Sequence, residues 1–432
     1  MIDSASIISP AAIETAPLRA RLVRWGLIVV QFGAVQAAVQ ALGALAGLLI
    51  VRSLSKPDYA LFAIVNSMQT TCNLLADCGI GIGMRAIGGR VWNDRRRFGE
   101  LINTALGLRK TFAAFSFALA LPIAAWMLWR CGATDWQLLG FSGAIVAAVM
   151  PLLGASVWGV SPQLHGEYRR MQRLDLGNAA LRALLISALV VSKINALLAA
   201  LVGVVGNWLQ AFFFRRWAHE HVDAGAQVNI DDRREIIGFS RQWLPNIIFF
   251  CFQGQLTLLL LSFFGSATQI ADLTALGRLT MLFTIFSTTF NSVLAPRFAR
   301  CQDSAKLKKL YLMLVGASAL SLLPLFGLIQ LWPEPFLWLL GEKYQRLAAE
   351  SLWVVGAGCV AQLGYVMWSL NSSKGWIRYQ SIGYIPAIVA AQIATAACLD
   401  LSQFHHVLIF NLVTVSAPLP MYALDARRGL RS

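Results

Sequence analysis

The sequence predicts an all-α polytopic membrane protein of about twelve transmembrane helices, with both termini on the cytoplasmic side. Three observations lead there. Hydrophobic residues fill 57% of the 432 positions and charged residues only 13%, about half the charged share of a soluble domain. The apolar residues collect in blocks, such as Leu27 to Val51, Leu256 to Phe264 and Leu312 to Leu331, separated by short basic stretches. The cations also favour alternate connections. A soluble helical solenoid would keep a polar face on each helix, and few of these blocks have one.

Blocks of about 20 apolar residues, the length needed to cross a bilayer, place spans near 26–51, 59–84, 108–129, 137–160, 176–192, 194–214, 238–264, 270–294, 311–331, 350–370, 380–398 and 405–424. Arg19, Arg21 and Arg24 precede the first run as the basic flank of a signal peptide would. That run is too long for a signal core, so it is read as a retained first span. The fifth and sixth spans are divided only by Ser192-Lys193-Ile194-Asn195. Together they are too long for one crossing, which predicts a tight hairpin. This layout divides the chain into an N-terminal segment 1–25, a first half 26–214, a linker 215–237, a second half 238–424 and a tail 425–432.

Orientation follows from the positive-inside rule: roughly 25 cations fall on the connections shared with the N-terminus and about 6 on the opposite side. Arg95-Arg96-Arg97, Arg169-Arg170, Arg215-Arg216 and Arg427-Arg428 belong to the first set. Arg52, Lys56, Arg130, Lys193, Lys343 and Arg346 make up the second. Trp126, Trp129, Trp136, Trp332, Trp338 and Trp353 flank the outer span ends, where indoles favour the interface. After Asn93, Phe98, Leu101, Ile102, Ala105 and Leu106 recur at helical spacing against Arg95, Arg96, Glu100 and Arg109. Two readings fit that pattern, a surface helix capped by Asn93 or an extension of the third span.

The net charge of +15 does not mark a nucleic-acid binder, because the cations punctuate apolar blocks instead of sharing one soluble face. No nucleic-acid partner is expected, and membrane lipids are. The seven cysteines lie mostly inside apolar blocks, with no pair at metal-ligand spacing in a loop. No Walker motif, zinc signature or acid pair in a long outer loop is present. Neither a cofactor nor an enzymatic activity is therefore expected. His405-His406 is read as a loop pair at the outer end of the last span.

The first two spans of each half share a pattern of apolar helix, short polar turn and second helix, around Ser55-Lys56-Pro57-Asp58 and around Gly265-Ser266-Ala267-Thr268. This suggests a parallel repeat about an axis along the membrane normal. The run Val51-Arg52-Ser53-Leu54-Ser55-Lys56-Pro57-Asp58-Tyr59-Ala60-Leu61-Phe62, followed by Leu74-Leu75-Ala76-Asp77-Cys78-Gly79-Ile80-Gly81, resembles the start of polysaccharide-export flippases of the O-antigen type. These belong to the multidrug/oligosaccharidyl-lipid/polysaccharide (MOP) superfamily. Pro245 and Ala295-Pro296-Arg297-Phe298 are similar to its second half, while Ala60 stands where the family usually has glycine. The resemblance implies two six-helix lobes around a central cavity, as in MATE and other MOP proteins, in a bacterial inner membrane. It also implies alternating-access transfer of a polyprenyl-diphosphate-linked oligosaccharide for surface polysaccharide biosynthesis, with polysaccharide polymerase machinery as a further partner.

Such a substrate needs cations and hydrogen-bonding groups along a path through about 30 Å of hydrocarbon, and intramembrane ionisable residues are functional candidates by default. They are Arg182, Arg241, Arg278 and Asp77, with Arg24, Arg52 and Arg85 at span ends. Arg278 lies deepest and suits bidentate phosphate binding. Arg24, Arg85 and Arg241 fit snorkelling equally well. Asp77 is the candidate for a coupling proton or cation, with a structural pair to Arg85 or Arg182 as the other reading. Gln36 and Gln40 on the first span, and Gln242, Asn246 and Gln253 on the seventh, offer partners to sugar hydroxyls or between helices. Gly43 and Gly47 read as a GxxxG packing face. The alternative function is a cation-coupled multidrug or small-solute exporter of the same architecture, which would call for more acids in the cavity. A glycan polymerase or ligase would call for a longer outer loop than Trp332 to Glu350.

Overall fold

The computed structural model describes residues 18–430 apart from 193, 224 and most of 282–302. The described residues form helices and connecting loops, with no strand among them. Among them, nine helices are long and apolar enough to cross a membrane, and Ile382–Cys398 is a shorter apolar one. Two further expected spans account for most of the difference from twelve. The second, helix α2 (Lys56–Asp77), carries Asn66, Ser67, Gln69, Thr70, Thr71 and Asn73 and is too polar to pass as a lipid-facing helix. The other, near 270–294, falls largely outside the described residues.

The first half begins with α1 (Leu18–Ser53). After it, Ser55 starts α2: its hydroxyl accepts from the Asp58 N–H at 3.2 Å and donates to the Asp58 carboxylate at 2.7 Å, while Pro57 occupies the first turn. These are ordinary helix-start chemistries, an oxygen for an orphan donor and a ring with its backbone angle already set. The motif Ser55-Lys56-Pro57-Asp58 is thus a helix start. The span expected over 59–84 does not run through. Cys78 (φ 42°) and Gly79 (φ 80°) take left-handed backbone, Cys78 N–H closes on Leu74 O, and the chain restarts as α3 (Ile80–Val91). Glycine tolerates that geometry and ends helices for this reason.

Helix α4 (Arg95–Arg130) settles the two readings of the segment after Asn93. It is one continuous helix, the extension of the third span, and its N-cap is Asp94, which accepts from the Arg96 and Arg97 N–H groups. Phe98, Leu101, Ile102 and Ala105 are buried against Ile80, Met84, Ile87, Val157 and Ile236. The apolar face that suggested a surface helix is satisfied by protein. Helices α5 (Asp135–Trp158), α6 (Val160–Leu164), α7 (Tyr168–Val191) and α8 (Ala196–His221) complete this half. The break between α7 and α8 is the expected hairpin, with Asn195 capping α8 through Leu198 N–H at 2.8 Å.

The segment expected as a linker, 215–237, is mostly helix: α8 ends at His221 and, after an eight-residue connection, α9 (Ile230–Phe264) begins. The start of α9 packs on α3 and α4 of the first half. Arg97 holds buried Asp232 through both guanidinium nitrogens at 2.5 Å, and Arg90 pairs with Glu235. Removing one partner of a well-buried ion pair strands the other. Asp232→Asn is therefore expected to lower unfolding stability by about 2 kcal/mol, within the range for lost charge-assisted bonds, read as a fall in melting temperature in detergent. An unchanged melting temperature would show that the pair does not anchor α9.

The second half continues with α10 (Ala267–Leu276), a 3-10 turn (Gly277–Met281), α11 (Ser304–Leu331), α12 (Pro333–Leu340), α13 (Ala348–Ser373), α14 (Arg378–Cys398), α15 (Phe404–Ser416) and α16 (Leu419–Gly429). Ser266 caps α10 as Ser55 caps α2, here with Gln269 in a capping box. The two matching elements of the sequence repeat, α2 and α10, pack along each other and join the halves. Around them runs the main apolar core, from Ile50, Leu54 and Ile64 through Phe141 and Ile186 to Ile270, Leu276, Leu340 and Val355.

At the end of the bundle that carries Lys56, several contacts join the halves. Lys56 Nζ pairs with Asp272 at 2.7 Å, and Arg52 stacks over Trp338 at 4.8 Å. Lys343 Nζ donates to the carbonyls of Leu54 and Arg52. Arg130 donates to the Ser262 and Phe263 carbonyls, at 3.4 and 3.0 Å. Each half thus sets a cation on the exposed carbonyl end of the other half's helix, α1 or α9, a favourable charge–dipole arrangement.

Candidate functional site

Below this joined end, a cavity of about 650 Å³ lies between the halves, walled by α2, α9, α10, the 3-10 turn, α13 and α15. Its polar groups come from every side: Asn66, Ser67, Thr70 and Thr71 on α2, Gln255 and Thr257 on α9, Thr274 and Arg278 beyond, and Asn411 on α15. The α2 groups recur three and four residues apart, which keeps them on one face. Gln255, 7% exposed, donates to Ser67 Oγ at 2.7 Å and to Thr71 Oγ1 at 2.6 Å across the two halves. A second recess of about 190 Å³ lies on the other side of α2, among α5, α7 and α8. It shares Asn66 and Thr70 with the first and adds Gln69, Asn73, Asn207 and Arg182.

Arg278 sits in the cavity wall where the α-helical ladder gives way to the 3-10 turn. Its Nε donates to the Tyr59 hydroxyl at 3.2 Å, and the Tyr59 hydroxyl reaches Thr274 O at 3.5 Å. The guanidinium passes over Gly47, where an added Cβ would stand 3.0 Å from one terminal nitrogen. The absence of a side chain at Gly47 makes room for that group. The GxxxG reading of Gly43 and Gly47 is corrected accordingly, since a Cβ at Gly43 would meet no atom within 4 Å. Arg278 in the cavity and Arg182 in the recess set a cation on each side of α2.

Asp77 pairs with neither Arg85 nor Arg182. Its partner is Arg109 on α4, 3.5 Å away and only 2% exposed, whose other contact is Asn73 Oδ1 at 3.0 Å. Arg109 was read from the sequence as part of a polar helix face, and that is wrong. The helix runs deeper than expected and carries the residue into the protein interior.

The remaining candidates are dispersed. Arg241 lines a separate cleft of about 740 Å³ between α2, α4 and α9, lined otherwise mainly by apolar residues such as Phe112, Phe115, Leu244 and Ile248. Arg85 is exposed on α3, and Asn246 is exposed on α9. Gln36 and Gln40 are half-buried on α1 and do not line the three cavities described. Arg52 belongs to the joined end. Gln253 accepts from Gln392 Nε2 at 2.8 Å, an interhelical bond. The side chains of Arg24 and Gln242 lie outside the described ones. The residues missed from sequence are Tyr59, the α2 polar row, Gln255 and Arg109. Only the row left a signal, its helical spacing inside a span.

One group of potential metal ligands occurs among the described residues, Glu167, Glu220 and His221. Arg170 bridges the two carboxylates at 3.2 and 2.8 Å. A guanidinium therefore already supplies the positive charge there.

These features define a class, a two-lobed helical membrane protein with a cationic, hydroxyl-lined cavity between its lobes. Solved structures share the architecture. An inward-facing multidrug resistance MATE family transporter of the MOP superfamily superposes with a TM-score of 0.66 at 16% identity, over 91% of this chain and 95% of the other. A MATE protein in the straight conformation gives 0.55 at 15% identity, over 93% and 96%. An outward-facing MATE transporter of the same superfamily gives 0.52 at 15% identity, over 92% and 94%. The family described as polysaccharide biosynthesis protein matches residues 173–349. No curated protein matches the sequence significantly. The chain shares the fold of these MATE transporters, the two-lobed architecture that the resemblance in the first two helices implied.

Proposed function

We propose that the protein is a transporter that carries a polyprenyl-diphosphate-linked oligosaccharide across the bacterial inner membrane by alternating access. The observation that carries this reading is the pairing of Arg278 and Arg182 with a wall of amides and hydroxyls. Guanidinium groups bind diphosphate in a fork geometry, and the polar row of α2 with Gln255 and Asn411 suits sugar hydroxyls. The match over 173–349 to a polysaccharide biosynthesis family supports the same substrate class. A cationic drug would be repelled here, and the nearby acid, Asp77, is already paired to Arg109. With the Arg97 end toward the cytoplasm, as the positive-inside rule requires, the joined Lys56 end faces outward. The higher TM-score to the inward-facing relative than to the outward-facing one agrees with an inward-facing state.

The test is the distribution of lipid-linked oligosaccharide between leaflets in a strain lacking the protein, alongside surface-polysaccharide export. Complete units are expected to accumulate on the inner leaflet. Normal export with a normal distribution would overturn the reading in favour of a small-solute exporter.

A further inference from the structure

Among the described residues, two aromatic rings line the cavity between the halves, and they differ in what they offer a ligand. Tyr59 is fully buried and its hydroxyl serves Arg278. Phe250 on α9 is 49% exposed and faces the cavity with its ring. The neighbours of Phe250 divide by helix face: Ile248 and Phe252 line the apolar cleft, while Gly254 and Thr257 line the polar cavity with Phe250. A helical side chain covers the turn on its N-terminal side, so a side chain at position 254 would lie over Phe250. Glycine stands there, and a Cβ built on it would meet no atom within 4 Å. The ring is left uncovered on that side. It is also held in place. Tyr384 on α14 packs against it, with ring centres 5.7 Å apart and planes tilted by 46°, and meets Phe249 edge-on at 6.2 Å. Tyr422 on α16 backs Tyr384 at 6.4 Å, and the Gln392–Gln253 bond ties α14 to α9 one turn further on. A ring fixed in this way has little side-chain freedom to lose when a ligand arrives.

An uncovered phenyl ring among amides and hydroxyls matches a ligand with a polar rim and an apolar face. A pyranose ring is such a ligand. Its hydroxyls surround the edge, and its axial C–H bonds present the small positive charge that the negative face of an aromatic ring attracts. Resting on the substrate reading above, we propose that Phe250, held by Tyr384, is the platform on which one sugar ring of the lipid-linked oligosaccharide stacks. Gln255, Thr257 and Asn411 line the same cavity and face the hydroxyl edge, while Arg278 takes the diphosphate. A purely apolar occupant would leave those amides and hydroxyls unpaired, which costs free energy and favours the sugar. The consequence is selectivity: Phe250 lets the cavity tell a glycosylated lipid diphosphate from a bare one.

The test compares two probes on the full chain in nanodiscs: geranyl diphosphate esterified at its free end with either methyl or glucose. Both carry the same apolar chain and the same charge, so the ratio of their dissociation constants isolates the sugar. The glucose probe is expected to bind wild-type protein about two- to tenfold more tightly, the worth of one aromatic contact. Phe250→Leu keeps an apolar side chain but loses the ring, and is expected to abolish that preference. Phe250→Trp restores an aromatic face and is expected to keep it. So is Phe252→Leu, whose side chain lines the apolar cleft instead. Arg278→Ala is expected to weaken both probes alike and leave the ratio unchanged. Equal binding of the two probes by the wild type would overturn the platform before any variant is made. A preference that persists in Phe250→Leu, or that vanishes just as fully in Phe252→Leu, would overturn it as well. If the wild type binds neither probe, the substrate reading falls and takes the platform with it. Binding of both that depends on Arg278 but not on Phe250 removes the platform alone.

Discussion

Arg278→Ala is expected to reduce export of lipid-linked oligosaccharide by about ten- to a hundredfold with protein level unchanged. A charge-assisted hydrogen bond contributes about 1.5–3 kcal/mol, and about 1.4 kcal/mol is a factor of ten. Arg278 is only half-buried, and its described polar partners are the Tyr59 hydroxyl and, at 3.9 Å, the Met281 sulfur. Its terminal nitrogens therefore retain donors for a ligand, and its loss strands no buried carboxylate. Arg278→Lys keeps the charge but loses the planar fork, so an intermediate defect is expected. Tyr59→Phe removes the hydroxyl that orients the guanidinium and should cost only a few-fold in rate, roughly the worth of one neutral hydrogen bond. Normal export in both Arg278 variants at wild-type protein levels would remove this residue from the substrate path.

The second large effect is on stability. Asp77→Ala leaves the buried Arg109 cation with Asn73 alone, and stranding a buried charge costs about 3 kcal/mol. The expected result is a sharp drop in melting temperature and in recovered protein. Replacing both partners, as in Asp77→Ala with Arg109→Met, should recover much of that loss, because an apolar pair of similar volume needs no counter-charge. The shortfall from additivity measures the coupling between them. Should Asp77→Ala be as stable as the wild type and yet fail to export, Asp77 would be a transport residue and not a structural one.

Some of the site was legible in the sequence and some was not, for identifiable reasons. Arg278 stood out because a guanidinium deep in an apolar block is costly unless it has a use. Arg182 stood out for the same reason, and the two line cavities on opposite sides of α2. Arg109 escaped because it lies just inside a helix whose first turns are extramembrane. Periodicity shows which side of a helix a residue occupies but not how far the neighbouring helices reach over it. The polar row of α2 was visible as a pattern, but its meaning depended on Gln255, 188 positions away from Ser67. Gly47 shows the same limit. A small residue four positions from another suggests helix packing, whereas here the close neighbour is one arginine from the other half.

By itself the sequence determined the solvent and the helical class of the elements. Apolar blocks of membrane-spanning length can only be helices in lipid, where each backbone polar group must be satisfied within its own segment. It also determined the helix starts at Ser55 and Ser266 and the hairpin between α7 and α8, since capping and turn chemistry act over three or four residues. Tertiary structure alone decided which charges meet. Lys56 and Asp272 are 216 positions apart, and Asp77 joined Arg109 instead of the partners expected for it. Coulombic pairing depends on distances of a few ångströms in space, and those are fixed only when α2 and α10 pack against each other at the join of the two halves.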